Sequence, residues 1–217
     1  MSEAQPGRTR LCLVTPQAAD AASFAPLLGA ALAGGDVASL IIATSSPDPG
    51  ALQRLAEALV PIAQARGVAA LIHNDSRVAG RVAADGVHVD SSNADLKIAA
   101  ETFRPRGIVG AGGVTSRHDA MLAGESDPDY VFFGRLDGDT RPEIFEKALD
   151  LAAWWSSLFV IPAIVMGGGD IASVTEARDA GVEFVALRRA VFDHPDGPGA
   201  AVAEANRLLA LVPEVAR

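Results

Sequence analysis

A short apolar or β-branched run followed by an Ala/Leu-rich stretch of helical period recurs eight times along the chain, and this alternation most limits the folds open to it. The spacing predicts strands at 11–15, 38–44, 68–73, 86–89, 107–109, 130–133, 163–166 and 184–187. Helices are predicted at 21–33, 49–64, 77–84, 94–103, 117–123, 143–156, 171–180 and 198–211. Glycines at 34–35, 67, 107 and 181 stand just before strands, where a helix end calls for a left-handed residue. Strict strand–helix alternation means parallel strands, in either an open doubly wound sheet or a closed barrel. Eight units of roughly 27 residues favour the closed (β/α)8 TIM barrel, an α/β fold.

The 217 residues suffice for one such domain, and no linker or shift of composition divides them. Residues 1–9 read as a loose tail and 10–217 as the barrel. Apolar residues make up 49% of the chain and aromatics only 5%, so aliphatic side chains fill the interior, as between parallel strands and covering helices. The formal charge is −9, from 18 basic and 27 acidic residues, and no basic run is present to track a nucleic-acid backbone or an anionic bilayer. Nucleic acid and membrane are therefore not expected partners. The single cysteine, Cys12, and a polar start without a secretory apolar stretch fit a reducing cytoplasm. The longest apolar runs, such as 159–166, fall far short of the roughly 20 residues that cross a bilayer.

In a βα barrel the chemistry comes from the loops that follow the strands. After the seventh strand stand Gly167, Gly168, Gly169 and Asp170, where exposed amides at a helix start form a phosphate cradle; a tight turn with Asp170 as helix cap is the other reading. Arg188 and Arg189 follow the eighth strand beside that cradle and suit a forked phosphate contact, with rim salt bridges as the alternative. Asn74 and Asp75 end the third strand. Asp75 and Asp90, with Asp95 in reserve, supply hard oxygen ligands for a magnesium ion bridging to a diphosphate, unless Asp75 caps a helix and Asp90 makes a turn with Ser91 and Ser92. His73 and His88 lie within strands and read as hydrogen-bonded barrel residues. Gly112, in a glycine-rich stretch without dinucleotide spacing, and Thr140 are further phosphate contacts, and Arg135 is a catalytic candidate with Asn74. The run 137–139 reads as a surface turn. An apolar face around Trp154 and Trp155 allows a homodimer, or packs only on its own barrel.

Six segments in order resemble the thiamine-phosphate synthase and thiazole tautomerase superfamily. They are the first strand at 11–15, Ile72-His73-Asn74-Asp75, Ala84-Asp85-Gly86-Val87-His88-Val89, Asp129-Tyr130-Val131-Phe132-Phe133-Gly134, the stretch 161–168 and the last strand at 184–187. The resemblance implies a barrel that joins hydroxymethylpyrimidine diphosphate to a thiazole phosphate. Magnesium and Asn74-Asp75 would hold the diphosphate, and Gly167 and Gly168 the thiazole phosphate. The chain departs from the family pattern after the second strand, where residues 39–44 lack the Q-x-R-x-K diphosphate clamp. Asp90-Ser91 replaces a G-Q pair, and Asp137-Gly138-Asp139-Thr140-Arg141 replaces a Thr-rich loop that ends in Lys. These departures imply weakened diphosphate binding unless Arg135, Arg141 or Arg189 substitutes. They leave open a relative with thiazole-phosphate isomerase-like activity, or a non-catalytic phosphate-binding barrel.

Overall fold

The computed structural model describes residues 8–211. Its eight strands are β1 (Arg10–Val14), β2 (Ser39–Ile42), β3 (Ala69–His73), β4 (Gly86–Val89), β5 (Ile108–Val114), β6 (Tyr130–Phe133), β7 (Ala163–Met166) and β8 (Phe184–Leu187). All pair in parallel and in sequence order, and β8 returns to β1 to close the barrel. Helices α1 (Ala21–Ala33), α2 (Ala51–Gln64), α3 (Ser76–Arg81), α4 (Asn93–Phe103), α5 (Arg117–Gly124), α6 (Glu146–Leu158), α7 (Val174–Asp179), α8 (Arg189–Phe192) and α9 (Pro198–Leu209) cover it. The predicted single-domain TIM barrel is thus the observed architecture.

The strands are apolar on both faces because both faces are covered. Leu11 and Leu13 of β1 point out to the helices, whereas Cys12 and Val14 point in. The inner core is the smaller of the two apolar clusters and includes Cys12, Ile41, Leu71, Tyr130, Phe132, Ile164, Met166 and Ala186. Gly67 and Gly181 end their helices at φ +71° and +73°, the left-handed role that their positions predicted.

Carboxylates fasten the N-terminal rim. Asp85, just before β4, accepts from the Ala70 amide at 2.8 Å; Asp129, before β6, accepts from the Val109 amide at 2.8 Å; Glu183, before β8, accepts from the Ala163 amide at 2.9 Å. Asp36, before β2, binds the Arg10 guanidinium of β1. Each even-numbered strand is thereby tied to its odd-numbered predecessor, at the barrel end where conserved chemistry usually serves stability.

Most element boundaries lie within three residues of the predicted ones. β5 runs on to Val114 through glycines that do not resemble a strand, α6 starts at Glu146 rather than 143, and the unpredicted turn α8 follows β8. Residues 1–7 of the predicted tail lie outside the described residues. Thr9 is buried, with its hydroxyl donating to the Val182 carbonyl at 2.7 Å. Among the described residues no helix is long and apolar enough to cross a membrane. Trp155 packs on its own barrel, stacked on Phe159 and donating to the Ile161 carbonyl at 2.7 Å, whereas Leu158 and Val160 remain exposed.

Replacing Asp85 with Ala leaves the Ala70 amide without its acceptor, and stability is expected to fall by about 1–3 kcal/mol. Urea denaturation measures it, and an unchanged midpoint would remove the rim carboxylates from the stability of the barrel.

Candidate active site

The C-terminal mouth has two chemically distinct sides. On the first, β3 and β4 bring Asn74, His73 and Asp90 together. Asn74 takes a left-handed backbone at φ +55°, a conformation that Asn tolerates better than most residues, and its side chain turns back over the strands. Its amide nitrogen donates to Asp90 Oδ1 at 2.6 Å, and its oxygen accepts from the Asp90 backbone N–H at 2.9 Å. His73 Nε2 meets the same Asp90 oxygen at 2.8 Å. Burial would raise the Asp90 carboxyl, but the hydrogen bond and charge of His73, helped by Asn74, outweigh it and hold it at about 2.

Beneath Asp90 lies His88, fully buried. Its Nδ1 meets Tyr130 Oη at 2.9 Å, while Nε2 has no hydrogen-bond partner. Burial, reinforced by the charge of His73, lowers its pKa to about 3, so the imidazole is neutral throughout the physiological range. Gly112 crosses over this ring: a Cβ there would lie 2.6 Å from His88 Nε2 and 2.9 Å from the Asp90 Cβ. Gly112 therefore sets how closely β5 approaches the histidine and lines a 260 Å³ cavity with Asp90, Ser91 and Ser92.

The carboxylates singled out as magnesium ligands have separate surroundings. Asp75 turns outward and caps α3, accepting from the Arg77 and Val78 amides at 3.0 and 2.8 Å. Asp95 accepts from the Ser91 and Ser92 hydroxyls in the first turn of α4. Only Asp90 of the three faces the mouth. Among the described residues, no three His, Cys, Asp or Glu side chains gather where they could hold a metal ion.

The second side is built by the loop after β6 and by β7 and β8. Leu136 drops into the inner core as a stopper, while Arg135 stays at the rim, its side chain 81% exposed and forked onto Asp137 at 2.9 and 3.1 Å. A 220 Å³ cavity at the mouth lies among Gln17, Thr44, His73, Asp90, Arg135 and Asp137. Next to it a 480 Å³ cavity, mostly apolar, is lined by Thr140, Phe145, Lys147, Leu151 and Met166.

The glycine cradle after β7 is present, but its amides are engaged. Gly167 N–H donates to the Ala186 carbonyl, Gly168 N–H to Ser173 Oγ at 3.0 Å, and Gly169 N–H to the Arg141 carbonyl at 2.6 Å. A Cβ on Gly168 would lie 1.9 Å from the Pro142 carbonyl oxygen, so the β6–α6 loop itself covers the cradle. Asp170 caps the following turn through the Ala172 amide. The two arginines diverge. Arg189 points out to Asp193, whereas Arg188 points in, 8% exposed, onto the buried Asp139.

Asp139 is the residue that sequence reasoning missed, because an Asp-Gly-Asp run looks like a surface turn. Its partner Arg188 lies 49 residues away and carries no local signal. The role of His73 on Asp90 was likewise hidden, since a strand histidine has several possible partners.

The fold and mouth define a (β/α)8-barrel protein with a carboxylate–imidazole cluster on one side and a buried guanidinium–carboxylate pair, Arg188 with Asp139, on the other. The chain belongs to the thiamine monophosphate synthase family, whose model matches residues 11–191. It is 37% identical over 202 residues to the thiamine-phosphate synthase of Rhodospirillum centenum, covering 92% of this chain and 97% of that one. It is also 37% identical over 207 residues to the enzyme of the same name from Hyphomonas neptunium, covering 93% and 94%. Among solved structures, thiamine phosphate pyrophosphorylase from Pyrococcus furiosus superposes with a TM-score of 0.74 at 20% identity, over 94% of this chain and 96% of that one, which bears on the fold alone.

The His88 environment sets a pH dependence. The unfolded chain binds a proton at His88 near the ordinary value of 6.5, and the folded protein does so only near 3. Stability is therefore complete above 6.5 and falls by about 1.4 kcal/mol per pH unit as the pH drops through that window. His88→Gln, which keeps a partner for the Tyr130 hydroxyl but does not titrate, should flatten this slope in urea titrations between pH 6.5 and 4. An unaltered slope would place the acid sensitivity elsewhere.

Proposed function

We propose that this chain is a thiamine-phosphate synthase, joining hydroxymethylpyrimidine diphosphate to a thiazole phosphate with release of diphosphate. The observation that carries the proposal is the 37% identity to two thiamine-phosphate synthases across nearly the full length of each. In this reaction the bond from the pyrimidine methylene carbon to the diphosphate oxygen breaks, and the diphosphate leaves with the electron pair. The thiazole nitrogen lone pair then forms the new C–N bond, giving a thiazolium without any proton transfer. Catalysis is thus a matter of alignment and of neutralising the leaving group.

Residues 39–43, the second strand and the residue after it, are buried and supply no side-chain amide or cation to the mouth. The neighbouring cavity instead contains Gln17 and Arg135, which we assign to the diphosphate. Asn74 and His73 hold Asp90 toward the same cavity. Asp90 is the carboxylate that fits a magnesium ion shared with the substrate, because such an ion takes one or two protein carboxylates and completes its shell from phosphate oxygens and water. Asp90 would hold that ion, whose positive charge would offset the negative charge of the leaving group. The low pKa of Asp90 keeps that carboxylate ionised for the role. The mostly apolar cavity beside Thr140, Lys147 and Met166 suits the heteroaromatic rings.

The activity is tested by mixing both substrates with magnesium and measuring thiamine phosphate by mass spectrometry. Formation of the product is expected, and its absence at high enzyme concentration, with the thiazole phosphate still bound, would select an altered activity instead. Arg135→Ala should raise the KM for the diphosphate substrate about tenfold, as loss of one charge-assisted contact implies. Asn74→Ala, which releases Asp90 from its position, should lower kcat about 100-fold in steady-state kinetics.

A further inference from the structure

The β6–α6 loop places a carboxylate where this fold ordinarily receives a phosphate. Asp139 is 1% exposed and accepts from Arg188 Nε at 3.1 and 3.2 Å, from a terminal nitrogen of the same guanidinium, and from the Arg189 backbone N–H at 2.8 Å. These donors stand at the end of β8, beside the glycines that end β7, and the seventh and eighth βα loops are the usual phosphate site of a TIM barrel. The loop also places the Arg141 and Pro142 carbonyls on the Gly169 and Asp170 amides. The Arg188 guanidinium and the Arg189, Gly169 and Asp170 amides thus all have acceptors from one segment of the chain itself, while the Gly167 and Gly168 amides bind Ala186 and Ser173.

A purely structural anchor is a weak explanation of the pair. Burying two ions removes both from water, and an apolar contact would anchor the loop at least as well. The same loop already has such a contact in Leu136, seated in the inner core. Asp139 carries one negative charge and satisfies one guanidinium. A phosphate placed on Arg188 with Asp139 still present would set two anions on a single cation, so the two must exchange rather than coexist.

We propose that Asp139 is an internal stand-in for the acceptor's phosphate and a specificity-determining residue of this site. It competes with that phosphate for Arg188 and the Arg189 amide, and the phosphate enters as the β6–α6 loop withdraws. A phosphorylated acceptor can displace the carboxylate, whereas the corresponding alcohol has no anion with which to do so. The naming of the acceptor rests on the synthase proposal; the exchange itself does not.

Calorimetry with inorganic phosphate tests the exchange without recourse to activity. Asp139→Ala should bind inorganic phosphate at least tenfold more tightly than the unaltered protein, and the gain should vanish in Asp139→Ala/Arg188→Ala. Asp139→Asn, which keeps the shape and removes the charge, provides the same comparison if the alanine variant does not fold. Unchanged or weaker phosphate binding in a folded Asp139 variant would overturn the proposal, as would failure of both single variants to fold, since the pair would then be a structural anchor. A gain in phosphate binding alongside an unaltered protein that makes no thiamine phosphate would leave the exchange standing and remove the synthase proposal.

Discussion

The pairing of β8 with β1, in register from Arg10 opposite Phe184 to Leu13 opposite Leu187, is the constraint on which the rest of the molecule depends. Closure gathers eight loops at one mouth and leaves an interior only wide enough for side chains. Small residues such as Cys12, Ala43 and Ala186 therefore share the inner core with a few large ones. Closure also divides the polar residues by function. The carboxylates at the N-terminal rim tie strand to strand, while at the C-terminal mouth Asp75 and Asp170 cap helical turns, Asp90 meets His73 and Asn74, and Asp139 fastens a loop.

At the mouth, the side built by β3 to β5 is held by hydrogen bonds among close neighbours in the barrel: Asn74 and His73 on Asp90, and His88 on Tyr130. On the opposite side the long-range pair Asp139–Arg188 joins Leu136 and the Arg141 and Pro142 carbonyls in closing the β6–α6 loop over the glycines of β7. The first side is preorganised by adjacent strands. The second is covered by its loop, and in the proposed exchange ligand entry and loop position are one equilibrium.

Much of the fold was legible in the chain because strand–helix alternation and helix-ending glycines are local signals. β5 was read too short because Gly110, Gly112 and Gly113 have poor strand propensity; what overrides it is the passage of this strand beside His88, Asp90 and Tyr130, which leaves no room for a Cβ. The site was legible in part. Asn74 and Asp90 do meet, and the glycines after β7 do stand beside an inward arginine. The outward turn of Asp75 was one of two open readings, since Asp before a short helix serves equally as a cap. Asp139 could not be read at all, because its meaning comes only from Arg188 across the barrel mouth.

The most direct measurement is a crystal structure of the protein with thiazole phosphate and inorganic diphosphate bound. The expected result is the thiazole phosphate group on Arg188 and the Arg189 amide, with Asp139 withdrawn and the diphosphate beside Asp90 and Arg135. A phosphate bound elsewhere with the Asp139–Arg188 pair intact would contradict it.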